Sequence, residues 1–239
     1  MWGEKMKRAV CLLLLIALII ICAKTDNNYL ILTSNTVENE AKPIIILDAG
    51  HGGFDGGAVH GTIVEKDINL QFALLLEPML KAFGYEVIMT RTTDTGTEDS
   101  GLSTIRSKKV SDINNRLNLI ESTDIECFIS LHQNMFSQSK YRGTQVFYGA
   151  SHPESEIYAE CVQSAVKSLL QNDNNRTIKQ CGKNIYLMYK TTKPAVLIEC
   201  GFMSNSEELD LLLNENYRKK LNFCILSGIL NGRKTIKNG

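Results

Sequence analysis

Apolar positions along the chain alternate between two spacings. Residues 44–47 are an unbroken apolar run between Pro43 and Asp48, the pattern of a strand covered on both faces. From Glu65 the spacing lengthens. Ile68, Phe72, Leu75, Leu76, Met79 and Leu80 recur at three and four residues, which predicts a helix over 65–83 stopped by Gly84. Pro78 falls inside that helix and predicts a kink. Strand spacing returns over 85–90. Residues 91–108 are polar and read as a loop, long for a compact domain. Ile113, Leu117 and Ile120 place a helix over 111–121, and "CFISL" is a strand running into His132. A strand over 143–148 precedes a helix over 153–170. A short strand over 185–188 and the strand "PAVLIE", ending on Glu199, come next. Helices over 206–213 and 215–230 close the domain, the first capped at Asn205 or Ser206. Strand–helix alternation of this kind builds an α/β sheet with helices on both faces.

The N-terminal residues do not fit that alternation. Lys5, Lys7 and Arg8 precede an apolar run from Ala9 to Ala23, which Lys24 closes. This is the layout of a secretory leader, and the run is short of the ~20 residues that span a bilayer. Residues 1–24 are therefore read as a signal peptide or an uncleaved N-terminal membrane anchor, 25–41 as a linker, 42–234 as the folded domain and 235–239 as a tail. The domain is expected on the outer side of the cytoplasmic membrane. The 239 residues carry a formal net charge of zero. Residues 1–24 hold four bases and one acid, so without them the charge is −3. No basic stripe interleaved with aromatics is present, which excludes nucleic acid as a partner. Two of the seven cysteines lie in the apolar run. The other five form no CxxC pair and read as buried thiols, not a disulfide framework.

Three of the strands lead into ionisable side chains: His51 after "IIILDAG", His132 after "CFISL" and Glu199 after "AVLI". If they are parallel, all three gather at one rim of the sheet, where α/β proteins bind ligands. Glu65 opens the helix after the first strand and can reach the same rim. Two imidazoles and a carboxylate suit zinc, with a fourth position open to water. Glu199, at the end of an apolar strand, is then the second carboxylate, placed to take a proton from attacking water and give it to a leaving amine. Taken singly, each residue also has an ordinary reading: a structural histidine, a first-turn acid, a buried salt bridge. His60 and His152 lie in turn-like surroundings and read as surface residues.

The segments "LDAGHGGFDGGA", "EKDINLQFALLLEPMLKAFGYEVIMTRTTD", "NNRLNLI", "FISLHQN" and "VLIECGFMSN" resemble, in order, the motifs of the zinc-dependent N-acetylmuramoyl-L-alanine amidases of the third amidase family. The resemblance spans nearly all of residues 43–232. It implies a three-layer α/β fold with a mixed, mostly parallel sheet of about six strands. It implies hydrolysis of the amide between the lactyl group of N-acetylmuramic acid and the L-alanine of the peptidoglycan stem peptide. It carries the metal ligands for one Zn²⁺ to His51, Glu65 and His132, and the catalytic acid to Glu199. It also suggests Asn134 and Arg116 as substrate-binding positions, although Arg116 reads equally well as an ion pair on the helix surface. A short basic leader on a lone catalytic domain is similar to the spore-cortex and germination-associated subgroup. In that subgroup, removing the peptide prepares muramic acid for δ-lactam formation by another enzyme. Partners implied are peptidoglycan, the membrane if the leader is uncleaved, and an activating lipoprotein. Ala49 departs from the family's frequent proline, and Gln133 and Met135 from its small residues; neither change removes a ligand. Two other readings remain at this point. A zinc peptidase of carboxypeptidase type usually places its His and Glu three positions apart, unlike His51 and Glu65. An inactive wall-binding module of the same fold would be expected to have lost part of the four-residue set.

Overall fold

The computed structural model describes residues 41–239. The leader and linker lie outside this range, apart from Ala41. Among the described residues no helix is long and apolar enough to cross a membrane.

Six strands form one sheet: β1 (Ile44–Ala49), β4 (Glu86–Met89), β5 (Cys127–Asn134), β6 (Gln145–Tyr148), β7 (Lys179–Gln180) and β8 (Ala195–Phe202). Two further strands, β2 (Val59–His60) and β3 (Ile63–Val64), pair as a small ribbon. The sheet order is β4-β1-β5-β8-β6-β7. Strands β4, β1, β5 and β8 run parallel; β6 is antiparallel to β8, and β7 is parallel to β6. The helices are α1 (Glu65–Ala82), α2 (Ile105–Ser122), α3 (Glu154–Leu169), α4 (Tyr186–Lys190), α5 (Ser206–Leu213) and α6 (Glu215–Asn238).

Alternate residues of the apolar strands feed two cores. Ile45 and Leu47 face α1, α3 and α6, where Phe72, Tyr158, Val162 and Ile225 are buried. Ile46, Phe128 and Leu197 face the other way, under Ile120 of α2 and Met188 of α4. Covering both faces explains why the central strands begin as consecutive apolar residues instead of alternating ones. The result is three layers, with the second face more thinly roofed because α4 has only five residues.

Three elements differ from the sequence-based expectation. Helix α2 starts at Ile105, not 111, so the polar loop is shorter than 91–108. Thr104 caps it, its hydroxyl accepting from the Ser107 N–H at 3.0 Å. Residues 185–188 are not a strand: they enter α4, and the sheet gains the exposed pair Lys179–Gln180 as its edge. Helix α6 continues to Asn238, through most of what reads as a tail. Pro78 leaves α1 unbroken. It is exposed, as is Leu74, whose carbonyl it leaves without a helical donor, so the gap faces water. The cysteines behave as expected: all five in the described range are free, and four are buried.

Candidate metal centre

The carboxyl ends of β1, β5 and β8 lie side by side, and they bring the sequence-selected residues together. His132 of β5 is the register partner of Glu199 on β8. His51 stands on the turn after β1, and Glu65 is the first residue of α1. One ligand atom from each of His51, Glu65 and His132 lies within 4.8 Å of the other two. Glu65 bridges the rings: its Oε2 is 3.3 Å from His51 Nε2 and its Oε1 is 3.0 Å from His132 Nδ1. The rings meet edge to face with centroids 4.9 Å apart.

The glycine-rich turn makes this convergence possible. A Cβ on Gly50 would overlap the His132 ring. Gly57 has φ +70°, and a Cβ there would stand 2.5 Å from both Glu65 Oε2 and His51 Cδ2. His51 itself has φ 63°, a left-handed conformation that a side chain rarely adopts. The neighbouring carbonyls are clamped. Arg91 donates to the carbonyls of Ala49 (2.8 Å) and Gly50 (3.1 Å), Asn69 also donates to Gly50 (3.1 Å), and Arg116 donates to His51 (2.8 Å).

The electrostatics separate the two acids. Burial acts against a charged His51 ring, but hydrogen bonds with Asp55 and then Glu65 outweigh it and push its pKa up to about 9. The Asp55 contact, 2.9 Å to Nδ1, leaves Nε2 facing Glu65. For Glu65, burial alone would raise the carboxyl; the hydrogen bonds from His132 and His51 hold it well below the usual range. Glu199 behaves oppositely. Burial pushes it up to about 7, against the pull of His132. Its Oε2 is buried with no hydrogen-bond partner, and among the described residues Glu199 has no ion pair, so the salt-bridge reading does not hold. An orphaned carboxylate oxygen is costly and needs a reason. Glu199 lines a cavity of about 330 Å³ that His51 and His132 also line, with Phe128, Met188 and Leu197 as an apolar wall.

Arg116 is not an ion pair on the helix surface. It is buried, paired with Asp48 and Asp112, and all five of its N–H groups have protein acceptors, including the carbonyls of Ala49 and His51. That saturation leaves no donor for a substrate and makes Arg116 a positioning residue. Asn134 does not line the cavity. Its backbone carbonyl accepts from the Met203 N–H at 2.7 Å, tying β5 to the turn after β8. Sequence reasoning overlooked Asp55, Asp48, Asn69 and Gln133. The Gln133 N–H donates to Glu65 Oε1 at 3.1 Å, and its side chain donates to Asn69 Oδ1 at 3.1 Å. Asp55, four residues after His51 in the same turn, was the one with a legible signal. His60 is exposed in the β2–β3 ribbon, away from the cluster.

Two imidazoles and a carboxylate whose ligand atoms converge, in a cradle that a single Cβ would fill, are a donor set for a zinc-class ion. Comparison with known proteins agrees in fold and sequence. The profile of the N-acetylmuramoyl-L-alanine amidase family matches residues 45–231. The germination-specific N-acetylmuramoyl-L-alanine amidase of Bacillus subtilis is 40% identical over 187 residues, 78% of each chain. The CwlD amidase of Clostridioides difficile, solved in complex with the GerS lipoprotein, superposes with a TM-score of 0.78 at 38% identity, covering 81% of this chain and 99% of that one. An N-acetylmuramoyl-L-alanine amidase of Clostridium difficile 630 gives 0.69 at 27% identity, covering 81% and 98%.

Proposed function

The chain belongs to the N-acetylmuramoyl-L-alanine amidase family, and from that premise we propose that His51, Glu65 and His132 hold one zinc ion while Glu199 is the general base. The enzyme hydrolyses the amide that joins N-acetylmuramic acid to the L-alanine of the peptidoglycan stem peptide. When bound, zinc supplies Lewis acidity, polarising a carbonyl and lowering the pKa of water.

The chain's own groups supply the rest. Asp55 fixes the His51 ring through Nδ1 and leaves Nε2 as the donor. Arg91, Asn69 and Arg116 hold the strained turn on which that ring stands. Glu199 takes a proton from a water in the cavity and passes it to the amide nitrogen as the C–N bond breaks. A carboxyl near pH 7 can do both. The apolar wall formed by Phe128, Met188 and Leu197 keeps the acid poorly solvated, which holds its pKa up.

The observation that carries this reading is the His–Glu–His cluster within 4.8 Å, beside a buried carboxylate oxygen with no hydrogen-bond partner among the described residues. Spore cortex is the substrate we assign, with peptide removal preparing muramic acid for lactam formation by another enzyme. The domain then works outside the cytoplasm, exported by or tethered through residues 1–24. A lipoprotein is the kind of partner that would activate it; the complex formed by the clostridial relative supports that reading.

The test is zinc-loaded protein on purified peptidoglycan, with products read by mass spectrometry. Stem peptides with a new N-terminal alanine are expected. Release of C-terminal amino acids instead would make the protein a zinc peptidase, and no product either alone or with a lipoprotein partner added would overturn the hydrolase reading.

A further inference from the structure

The sheet carries a second polar group next to Glu199 that the hydrolysis does not use. Gln145 of β6 lies directly across from Glu199 in the antiparallel pairing with β8. Such partners share a face, with Cβ atoms ~4.5–5.5 Å apart. Gln145 is buried and engaged through both its nitrogen and its oxygen: its amide donates to the Thr177 carbonyl at 2.9 Å, and its oxygen accepts from Arg176 Nη1 at 3.0 Å. Gln145 thus links the Glu199 position to a guanidinium.

Arg176 is held on three sides. Besides Gln145, its Nε donates to the Arg142 carbonyl at 2.7 Å, and its Cζ lies over the Phe202 ring, 4.4 Å from the centroid. Tyr141 packs beside Phe202, with centroids 6.2 Å apart. Two of the five N–H groups are engaged within the described residues. Nη2 and one Nη1 hydrogen are not, and Arg176 has no ion pair there. The acid whose charge it feels most is Glu208, which is buried with its two oxygens on the N–H groups of Gly143 and Phe202, both at 2.8 Å. The cleft in front, about 450 Å³, also carries Lys140 and Arg142, with Arg142 paired to Asp173 at 3.3 Å. A partly buried guanidinium, locked in position with three N–H donors unused, is shaped for a carboxylate.

The two flanks of Glu199 therefore differ in chemistry. One is the metal-site cavity, with an apolar wall at Phe128, Met188 and Leu197; the other, reached through Gln145, is this cationic platform. The scissile amide has a neutral sugar on its acyl side and a peptide on its amine side, and only the peptide carries carboxylates. We propose that Arg176, positioned by Gln145, the Arg142 carbonyl and Phe202, binds a free carboxylate on the peptide side of the scissile amide and selects acidic stem peptides over their amidated forms. This rests on the amidase reading and adds a specificity residue to it.

The test uses the full chain, zinc-loaded, and two synthetic substrates, each a muramoyl-L-alanyl peptide. They differ only in whether the residue after alanine carries a carboxylate or a carboxamide. Wild-type kcat/KM should favour the acid by roughly 10-fold or more, the scale of a hydrogen bond to a charged group, with the difference mainly in KM. In R176Q the acid-to-amide ratio should fall close to 1. R176K, which keeps charge but not the two-donor fork, should retain part of it, and thermal melting reports whether each variant is folded. Equal cleavage of both substrates by wild type, or an undiminished ratio in folded R176Q, overturns the proposal while leaving the amidase reading intact. No cleavage of either substrate, alone or with a lipoprotein partner added, overturns both.

Discussion

The His51 ring must lose a proton before it can hold a metal ion, and the structure gives the size of that competition. In the metal-free protein Asp55 and Glu65 push this imidazole from its ordinary 6.5 to about 9. At pH 8 an unperturbed imidazole would be about 3% protonated and His51 about 90%. Glu65, held far below the usual range, contributes no proton at that pH. Zinc binding at pH 8 should therefore release close to one proton, and apparent affinity should rise about tenfold per pH unit up to pH 9. The same shift governs the stability of the metal-free domain. The folded-state pKa is raised, so the contribution is fully present below pH 6.5 and is lost as pH climbs through 9. Its upper bound is about 3 kcal/mol, shared with the partner acids rather than added to theirs. The assay is calorimetric titration of chelator-stripped protein with zinc at pH 8, in two buffers of different ionisation enthalpy. Asp55→Asn removes the strongest partner of the ring and should reduce the release. A wild-type release below about 0.2 protons would refute the reasoning, because the ring would then already be neutral.

Other substitutions separate the remaining roles. Glu199→Gln should lower turnover by roughly 10²–10⁴-fold and leave zinc content by elemental analysis unchanged; loss of zinc would make Glu199 a ligand instead. His132→Ala should lower the metal-to-protein ratio, and an unchanged ratio would reject its assignment. Gly57→Ala places a methyl group 2.5 Å from Glu65 Oε2 on a left-handed residue, so zinc affinity in a chelator competition should fall at least about 10-fold, with a further stability loss of roughly 1–2 kcal/mol. Arg116→Met strands the buried Asp48 carboxylate and should cost roughly 3–5 kcal/mol in urea unfolding at pH 7. A loss below about 1 kcal/mol would mean that Asp48 finds another partner.

The cluster was legible because each strand that delivers a site residue opens on a dense apolar run, so the ionisable residue near its end stands out. The partners of those residues were less legible. Asp48 and Arg116 are 68 positions apart, and nothing local in "LDAG" or "NNRL" shows that the two charges neutralise each other in the interior. The start of α2 was missed because "IRSKKV" has no buried face: Ile105 and Val110 are both exposed, and only the Thr104 cap marks the boundary. Residues 185–188 were misread because four apolar residues carry no period. Ile185 and Met188 pack into the core below α2 as one helical turn instead. The edge strand Lys179–Gln180 is polar, exposed and two residues long, so it left no pattern to read.

Strand β8 is the last strand in the sequence, yet it lies between β5 and β6. Until it is made, β6 and β7 have no sheet to join and one edge of β5 is bare. A chain emerging N-terminus first thus owns both imidazoles and Glu65 well before it owns Glu199. The seat for the ion can assemble in a nascent protein that still lacks the means to cut anything. The wedge that finishes the sheet also arms it, so a chain truncated before residue 195 would be inert and would expose an open edge to its neighbours.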